Sequence, residues 1–399
     1  MRLLIATDCF LPRWDGIARF LSLLLPELRK DFTVTVIAPD FPGSTVSLRG
    51  VKIIRIKTYN FQVGDYTPSK IKVNTIKEEV EKNDIIFTQT IGPIGAVSAI
   101  LGRSLGKKVV AYVHSLEWEL FANSISENSR VRDSIHRISR PFVRKIYSNC
   151  DRLIVPSKKT GQLMEEAGIT VPRTVVKIGI DTKIFAPPKD RDHAKKKIGI
   201  PVSLTVGYAG RIGREKDLPT FIRAAKEVRK EVQDCQFLVV GSGITTYDEM
   251  MQKEGIIRFG STDRMAGYLQ AMDIYCLCSK TETSSLSTME AMACGAVPVV
   301  TGVGETRVYV KEGKNGYRFK IGDHMALAKI IIRLLKEKGR RRILARKARQ
   351  IIIDNYPWNK TVKGIADVLR IKPTTAVPED DPAQKDRAKN IRMISFTKV

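Results

Sequence analysis

Short apolar runs alternate with amphipathic stretches almost from end to end of this chain, the pattern of parallel sheets covered by helices. The runs predict strands at residues 3–7, 33–38, 51–56, 84–88, 108–114 and 152–155, with helices between them, for example over 19–29 and 93–105. At Phe185-Ala186-Pro187-Pro188-Lys189 the pattern stops, because adjacent prolines neither continue a helix nor donate to a ladder. A second series opens at 203–208 and continues at 236–240, 256–259, 274–277 and 296–300. The expected fold class is therefore α/β, with two Rossmann-like, doubly wound domains facing across a cleft. The expected boundaries are 1–185, a linker over 186–202, a second domain over 203–355, a helix over 356–372 that packs back on the first domain, and a tail over 373–399. That tail, rich in Thr, Pro, Asp, Glu and Lys, is expected to be disordered.

A chain of 399 residues is longer than one hydrophobic core usually organises. No apolar run approaches the roughly 18 residues of a membrane span, and Asp8 interrupts the apolar start. Residues 3–7 thus read as a buried first strand, not a leader, and a soluble, cytoplasmic protein is expected. Six cysteines without regular spacing fit a reducing compartment. Cys276 and Cys278 share one side of a strand, and His114, His136, His193 and His324 are scattered, so buried inert thiols are a better reading than a metal site. The net charge, 68 − 42 = +26, calls for an anionic partner: nucleotide phosphates, nucleic acid or an anionic membrane surface. Aromatics make up 7% and do not interleave with the basic runs, which argues against nucleic acid.

In doubly wound sheets the ligand sits beyond the carboxyl ends of the strands, so chemistry is sought just after them. After the first strand, Asp15-Gly16-Ile17 opens a helix, and a glycine there lets backbone amides approach an anion, although a plain turn is the commoner reason for such a glycine. His114 ends a later strand, placed either to meet a sugar hydroxyl or to bond a core carbonyl. In the second half, Gly210-Arg211 and Lys216 flank a tight loop before a helix that Asp217 is positioned to cap. Two cations there can converge on a diphosphate, arginine as a fork and lysine as a point charge, although exposed basic loops are common in a chain this basic. The most specific group is Glu282-Thr283-Ser284-Ser285-Leu286, followed by Glu290 inside a helix. Free amides at that helix start suit a phosphate and the two acids suit sugar hydroxyls. The alternative is a surface Glu282 and a Ser287–Glu290 capping box.

The stretch from Glu282 to Val300, with Gly210-Arg211 and Lys216 before it and Gly302-Val303-Gly304-Glu305 after it, resembles the donor site of the retaining family-four glycosyltransferases of GT-B fold. Val239-Val240-Gly241-Ser242-Gly243, Gly179-Ile180-Asp181 and Tyr356-Pro357-Trp358 extend the resemblance over roughly the first 370 residues. The resemblance implies a first domain on the acceptor side and a second that binds the nucleotide-sugar. It implies that Arg211 and Lys216 hold the diphosphate, Glu282 the donor sugar and Glu290 the ribose, with His114 beside the sugar. Arg211, Lys216, Glu282 and His114 are then the expected catalytic residues. Gly16, Gly210, Gly241, Phe259, Ser284, Ser285 and Leu286 complete the expected donor site, with the base against backbone near Phe259. Asp15-Gly16 stands where the family has paired glycines, and Ile178 where it has asparagine before Gly-Ile-Asp.

The expected reaction is transfer of a hexose from a UDP- or GDP-sugar to an acceptor with the anomeric configuration kept, and with no metal or other cofactor. Asp190-Arg191-Asp192 follows prolines instead of a strand, so it reads as helix-start acids and not as a metal signature. The rivals are an epimerase or phosphorylase on the same architecture, or a basic membrane- or nucleic-acid-binding module. Over 130–147, Val131, Ile135, Ile138, Phe142 and Ile146 form one helical face among six cations. That face either docks on the first sheet or meets an anionic membrane carrying a lipid-linked acceptor, and Pro141 weakens the helix.

Overall fold

The computed structural model describes residues 1–13, 15–42, 47–61, 66–125 and 129–371; the tail expected over 373–399 lies outside the described residues. The first half runs β1 (Arg2–Ala6), α1 (Gly16–Leu28), β2 (Thr33–Asp40), β3 (Val51–Lys57), α2 (Val73–Lys82), β4 (Ile85–Thr88), α3 (Pro93–Ser104), β5 (Lys108–Tyr112), α4 (Glu117–Ile125), α5 (Ser129–Tyr147), β6 (Arg152–Val155), α6 (Lys158–Glu166) and β7 (Arg173–Val175). The second runs α7 (Arg191–Lys197), β8 (Leu204–Ala209), α8 (Leu218–Glu231), β9 (Cys235–Val240), α9 (Asp248–Lys253), β10 (Ile257–Phe259), α10 (Met265–Ala271), β11 (Ile274–Leu277), α11 (Leu286–Ala293), β12 (Val297–Thr301), α12 (Thr306–Tyr309), β13 (Tyr317–Phe319), α13 (His324–Lys336), α14 (Lys338–Asn355) and α15 (Trp358–Arg370).

Both sheets are parallel and both reverse their winding at the first strand. The orders are β3-β2-β1-β4-β5-β6-β7 and β10-β9-β8-β11-β12-β13. Winding reverses between β1 and β4 and between β8 and β11, so the loops after these four strands line the ligand crevices. Strands buried on both faces need continuous apolar sequence, and β9 (CQFLVV) and β11 (IYCL) are buried throughout. The chain returns to the first half at its end. Ile180 bridges Pro357, the Gly179 amide donates to Thr361 Oγ1 at 2.8 Å, and α15 packs against α1. The Gly-Ile-Asp and Tyr-Pro-Trp motifs therefore meet: a Cβ on Gly179 would lie 2.7 Å from the Pro357 carbonyl.

Within the expected linker over 186–202, residues Arg191–Lys197 form α7, packed against α10. Its cations anchor it: Lys195 Nζ, almost wholly buried, donates to Asp273 at 2.9 Å, and Arg191 reaches the Gln270 carbonyl at 3.0 Å. Two edge strands, β7 and β13, are too short and mixed in polarity to show in the apolar pattern. Pro141 leaves α5 continuous because it lies on the solvent side, where water can satisfy the carbonyl it frees.

Candidate active site

The loop after β8 turns at Gly210, whose φ of +148° suits glycine, and the Tyr208 hydroxyl donates to the Arg211 carbonyl at 2.5 Å. A Cβ on Gly241 would lie 1.8 Å from the Gly210 carbonyl oxygen, so the loops after β8 and β9 touch backbone to backbone. That contact fixes Arg211 and the 3-10 turn Arg214–Lys216 opposite the loop after β11. Arg211 pairs with the buried Glu215, and Lys216 Nζ lies 2.6 Å from Glu282 Oε1, which also accepts from Ser279 Oγ at 2.8 Å. Gly304, at φ +51°, passes under the Glu282 carbonyl where a Cβ would approach to 2.1 Å. Beside it the Glu305 amide donates to the Thr283 carbonyl at 2.9 Å. The motif from Gly302 to Glu305 is thus the floor on which the Glu282 loop rests.

That loop ends at Ser285, a left-handed residue (φ +54°) at the N-cap of α11 that makes no side-chain capping bond. Its hydroxyl is spaced 2.8 Å from that of Thr288, and the Tyr309 hydroxyl donates to the Ser284 carbonyl at 2.8 Å. The result is a helix N-terminus, an ammonium and a guanidinium beside two carboxylates, an arrangement suited to a diphosphate joined to a polyhydroxyl group. Asp217 stands at the N-cap of α8, and its carboxylate accepts from the Thr220 hydroxyl at 2.7 Å.

On the opposite wall, Asp15 caps α1 by accepting from the Ile17 and Ala18 amides at 3.0 and 2.9 Å. Those amides are therefore engaged, and Gly16 faces open space in the cleft. Asp8 plays the same part at α3, accepting from the Ile94 amide at 2.9 Å and the Gly95 amide at 3.2 Å; burial raises its pKa. His114 stacks on Tyr112 with ring centroids 4.5 Å apart and meets Phe20 edge-on at 5.0 Å. Burial lowers its pKa to about 3, so the ring is neutral near pH 7. Its Nε2 lies 3.0 Å from Gln89 Oε1, so it donates there when that nitrogen carries the proton. His114 thus bonds a side chain and not a core carbonyl. Glu117 is buried as well: it accepts from the Tyr147 hydroxyl at 2.7 Å, and burial raises its pKa to about 7.

One cleft of about 1870 Å³ brings together Gly16, His114, Gly210, Arg211, Lys216, Glu282, Ser284, Ser285 and Leu286. Gly241 and Phe259 do not line it: Gly241 packs under Gly210, and the Phe259 carbonyl accepts from the Gly241 amide while its ring meets Tyr268 at 4.9 Å. Glu290 lies in an adjoining crevice, ion-paired with Arg19 of α1 across the two halves. The Ser287–Glu290 capping box does not form, because the N-cap is Ser285 and Glu290 is turned to Arg19. Arg19 was not among the expected site residues, although a lone arginine in the apolar run of α1 was a signal for it. Glu215 and Glu117 were missed for another reason, since nothing local marks their burial. Asp190 caps α7 by accepting from the Asp192 amide at 2.9 Å, as helix-start acids do.

Residues 14–184 match the family described as "Glycosyltransferase Family 4", and residues 190–351 the one described as "Glycosyl transferases group 1". A D-inositol 3-phosphate glycosyltransferase of Corynebacterium urealyticum is 29% identical over 67% of this chain and 66% of its own length, just under two thirds of that relative. A GDP-mannose-dependent alpha-(1-6)-phosphatidylinositol monomannoside mannosyltransferase of Mycolicibacterium smegmatis is 24% identical over 92% of this chain and 98% of its own. Among solved structures, Anabaena HepE in complex with UDP and glucose superposes with a TM-score of 0.72 at 17% identity, over 92% of this chain and 99% of its own.

Proposed function

Because the chain belongs to the family-four glycosyltransferases of GT-B fold, we propose that it takes its sugar from a nucleotide-activated donor and moves a hexose from a UDP- or GDP-sugar to a hydroxyl of a lipid-linked acceptor, with the anomeric configuration kept and without a divalent metal. The observation that carries this reading is the convergence of Lys216, Arg211 and the α11 N-terminus on one side of the cleft, beside Glu282. In this reading those groups meet the diphosphate as its bond to the sugar breaks, and they stabilise the charge that develops there. Gly16, Gly210, Ser284, Ser285 and Leu286 line the donor's path, Glu282 and His114 bond sugar hydroxyls, and Glu290 serves the ribose once it parts from Arg19. Gly241 and Phe259 act behind the site, holding the loop and the backbone against which the base rests. The acceptor attacks from the face the diphosphate leaves, and a leaving phosphate oxygen takes the acceptor's proton, so no side chain acts as base. Glu282 Oε1 already accepts two hydrogen bonds, which suits a sugar ligand better than a nucleophile.

The reading places the acceptor at the cytoplasmic face of a membrane, and two observations support its being a lipid. The Mycolicibacterium relative is named for one, and α5 buries its apolar face only at its end. Val143 and Ile146 are buried, whereas Val131, Ile138 and Phe142 are exposed, Ile138 at 75%. Among the described residues no helix is long and apolar enough to cross a membrane, so contact would be peripheral. The donor is identified by thermal shift against UDP, GDP, ADP and their sugars, since a ligand at about 100 times its Kd stabilises by roughly 2.7 kcal/mol. Turnover should persist in excess EDTA, and NMR of the product should show the donor's anomeric configuration; an inverted product or a manganese requirement overturns that part of the proposal. Co-sedimentation with anionic liposomes at low salt, lost at high salt, tests the membrane contact.

A further inference from the structure

The cleft does not end at the sugar-binding residues. From His114 it continues between α3, α4 and α5, where its lining becomes apolar: Val97, Ile100, Leu105, Leu116, Leu120 and Ile146. Its rim carries exposed apolar side chains on two sides, Ile71 and Val73 leading into α2 and Phe121 and Phe142 on α4 and α5. Cations line this part of the cavity as well: Lys77 of α2, Arg103 of α3 and Lys145 of α5. At the junction of the polar and apolar parts lies Glu117, buried, with Oε1 bonded to Tyr147 and Oε2 without a hydrogen-bond partner among the described residues. A buried carboxylate oxygen left unpaired is costly, and it marks a place for a donor that the chain itself does not supply.

We propose that this apolar branch holds the hydrocarbon chain of the lipid acceptor, drawn part-way out of the bilayer, with a hydroxyl of its headgroup donating to Glu117 Oε2. Continuity with the donor cleft is the central argument: a headgroup seated at Glu117 lies in the same cavity as Glu282 and Lys216, and the apolar branch of that cavity is there to take its chain. The cationic, apolar rim suits the surface of an anionic bilayer, from which such a chain would come. The inference rests on the reading of the acceptor as lipid-linked, and its test is separable from the test of that reading.

The probes are hexyl, octyl and decyl glucoside, used with the full chain below the concentrations at which they form micelles and titrated calorimetrically. Binding should saturate, and Kd should tighten about fourfold for each added methylene, the value of burying one CH2 group. Val97→Trp and Ile100→Trp fill the branch from α3 and should each weaken decyl glucoside by about tenfold or more, as overfilling a packed apolar site does. Hexyl glucoside should change least. Thermal melts confirm that the variants fold, and either one that does is sufficient. Glu117→Met should weaken all three glucosides by a common factor of about tenfold, because it removes a headgroup bond to a charged acceptor and not a chain contact. Affinity independent of chain length, or unchanged by both tryptophan variants, overturns the inference. Wild type that binds decyl glucoside but ignores anionic liposomes sinks the membrane reading and leaves the branch standing. Wild type that binds liposomes without chain-length-dependent glucoside binding does the reverse.

Discussion

On the second sheet's side of the cleft, each principal charged side chain answers another: Lys216 meets Glu282, Arg211 meets Glu215, and Ser279 steadies Glu282. On the first sheet's side the wall is largely apolar beyond His114, Glu117 keeps one oxygen unpaired among the described residues, and the rim exposes Phe121 and Phe142. Under the proposed function, the difference separates two kinds of task. A diphosphate is a fixed, doubly charged shape, so its site is preformed from rigid loops with ion pairs that a ligand can exchange. An amphiphile offers little charge and much area, so its site is a surface that remains unfinished until it is covered.

The pair that joins the walls gives the largest expected effect. Glu290 is buried and Arg19 nearly so, with side chains 3% and 11% exposed, and burial lowers the Arg19 pKa to about 10. Arg19→Met leaves Glu290 as an uncompensated buried charge, which should lower unfolding stability by about 3–5 kcal/mol. The double variant Arg19→Met/Glu290→Leu removes both charges and should recover most of that loss, read as urea midpoints in a double-mutant cycle. Strictly additive single effects would mean that the walls are not coupled through this pair.

Next comes the preformed wall itself. Lys216→Ala should raise the barrier by about 2–4 kcal/mol, lowering turnover roughly thirtyfold to a thousandfold, because in the proposed reading its charge acts on the departing diphosphate. The fold should survive, since Glu282 keeps its bond from Ser279. A small change in kcat with a large rise in donor KM would move Lys216 from the transition state to ground-state binding.

The asymmetry between the walls also decides what could be read without coordinates. Donor-side residues follow their strands at short range and carry local signals, such as Gly210 before Arg211, and Gly304 under Glu282. They were therefore legible as a motif, and the two-sheet architecture was legible from strand spacing. Arg19–Glu290 joins residues 271 apart, and Tyr147 reaches Glu117 across 30. Such pairings are set by how α1 meets α11 and how α5 folds over α4, which no local pattern records. The same holds for 186–202, where the prolines suggested a break but the anchors of α7, Lys195 and Arg191, find their partners near Asp273. On α5, the apolar periodicity announced one helical face, yet only packing shows that the face is left uncovered over most of its length.

The smallest effect tests the unfinished wall through proton linkage. Burial raises the Glu117 pKa from 4.5 to about 7, with the Tyr147 hydrogen bond opposing the shift. The folded state therefore holds a proton that the unfolded state releases between these values, so stability falls as pH rises through that window and levels off above it. Between about pH 5.5 and 7.5 the loss from this one group should be about 2 kcal/mol. His114 contributes with the opposite sign: its pKa is lowered to about 3 by burial, so its stabilisation is complete above 6.5 and fades as pH falls. A bare pH profile mixes the two, and the difference between wild type and Glu117→Gln separates them. Glutamine keeps an oxygen for the Tyr147 hydroxyl but does not titrate, so the variant should gain on wild type as pH rises. Decyl glucoside should reduce that gain, because a hydroxyl donated to Oε2 favours the ionised carboxylate and lowers its pKa. If the difference between the two proteins is flat with pH, Glu117 is already ionised and solvated in the folded chain, and the apolar wall has no unpaired group waiting for a ligand.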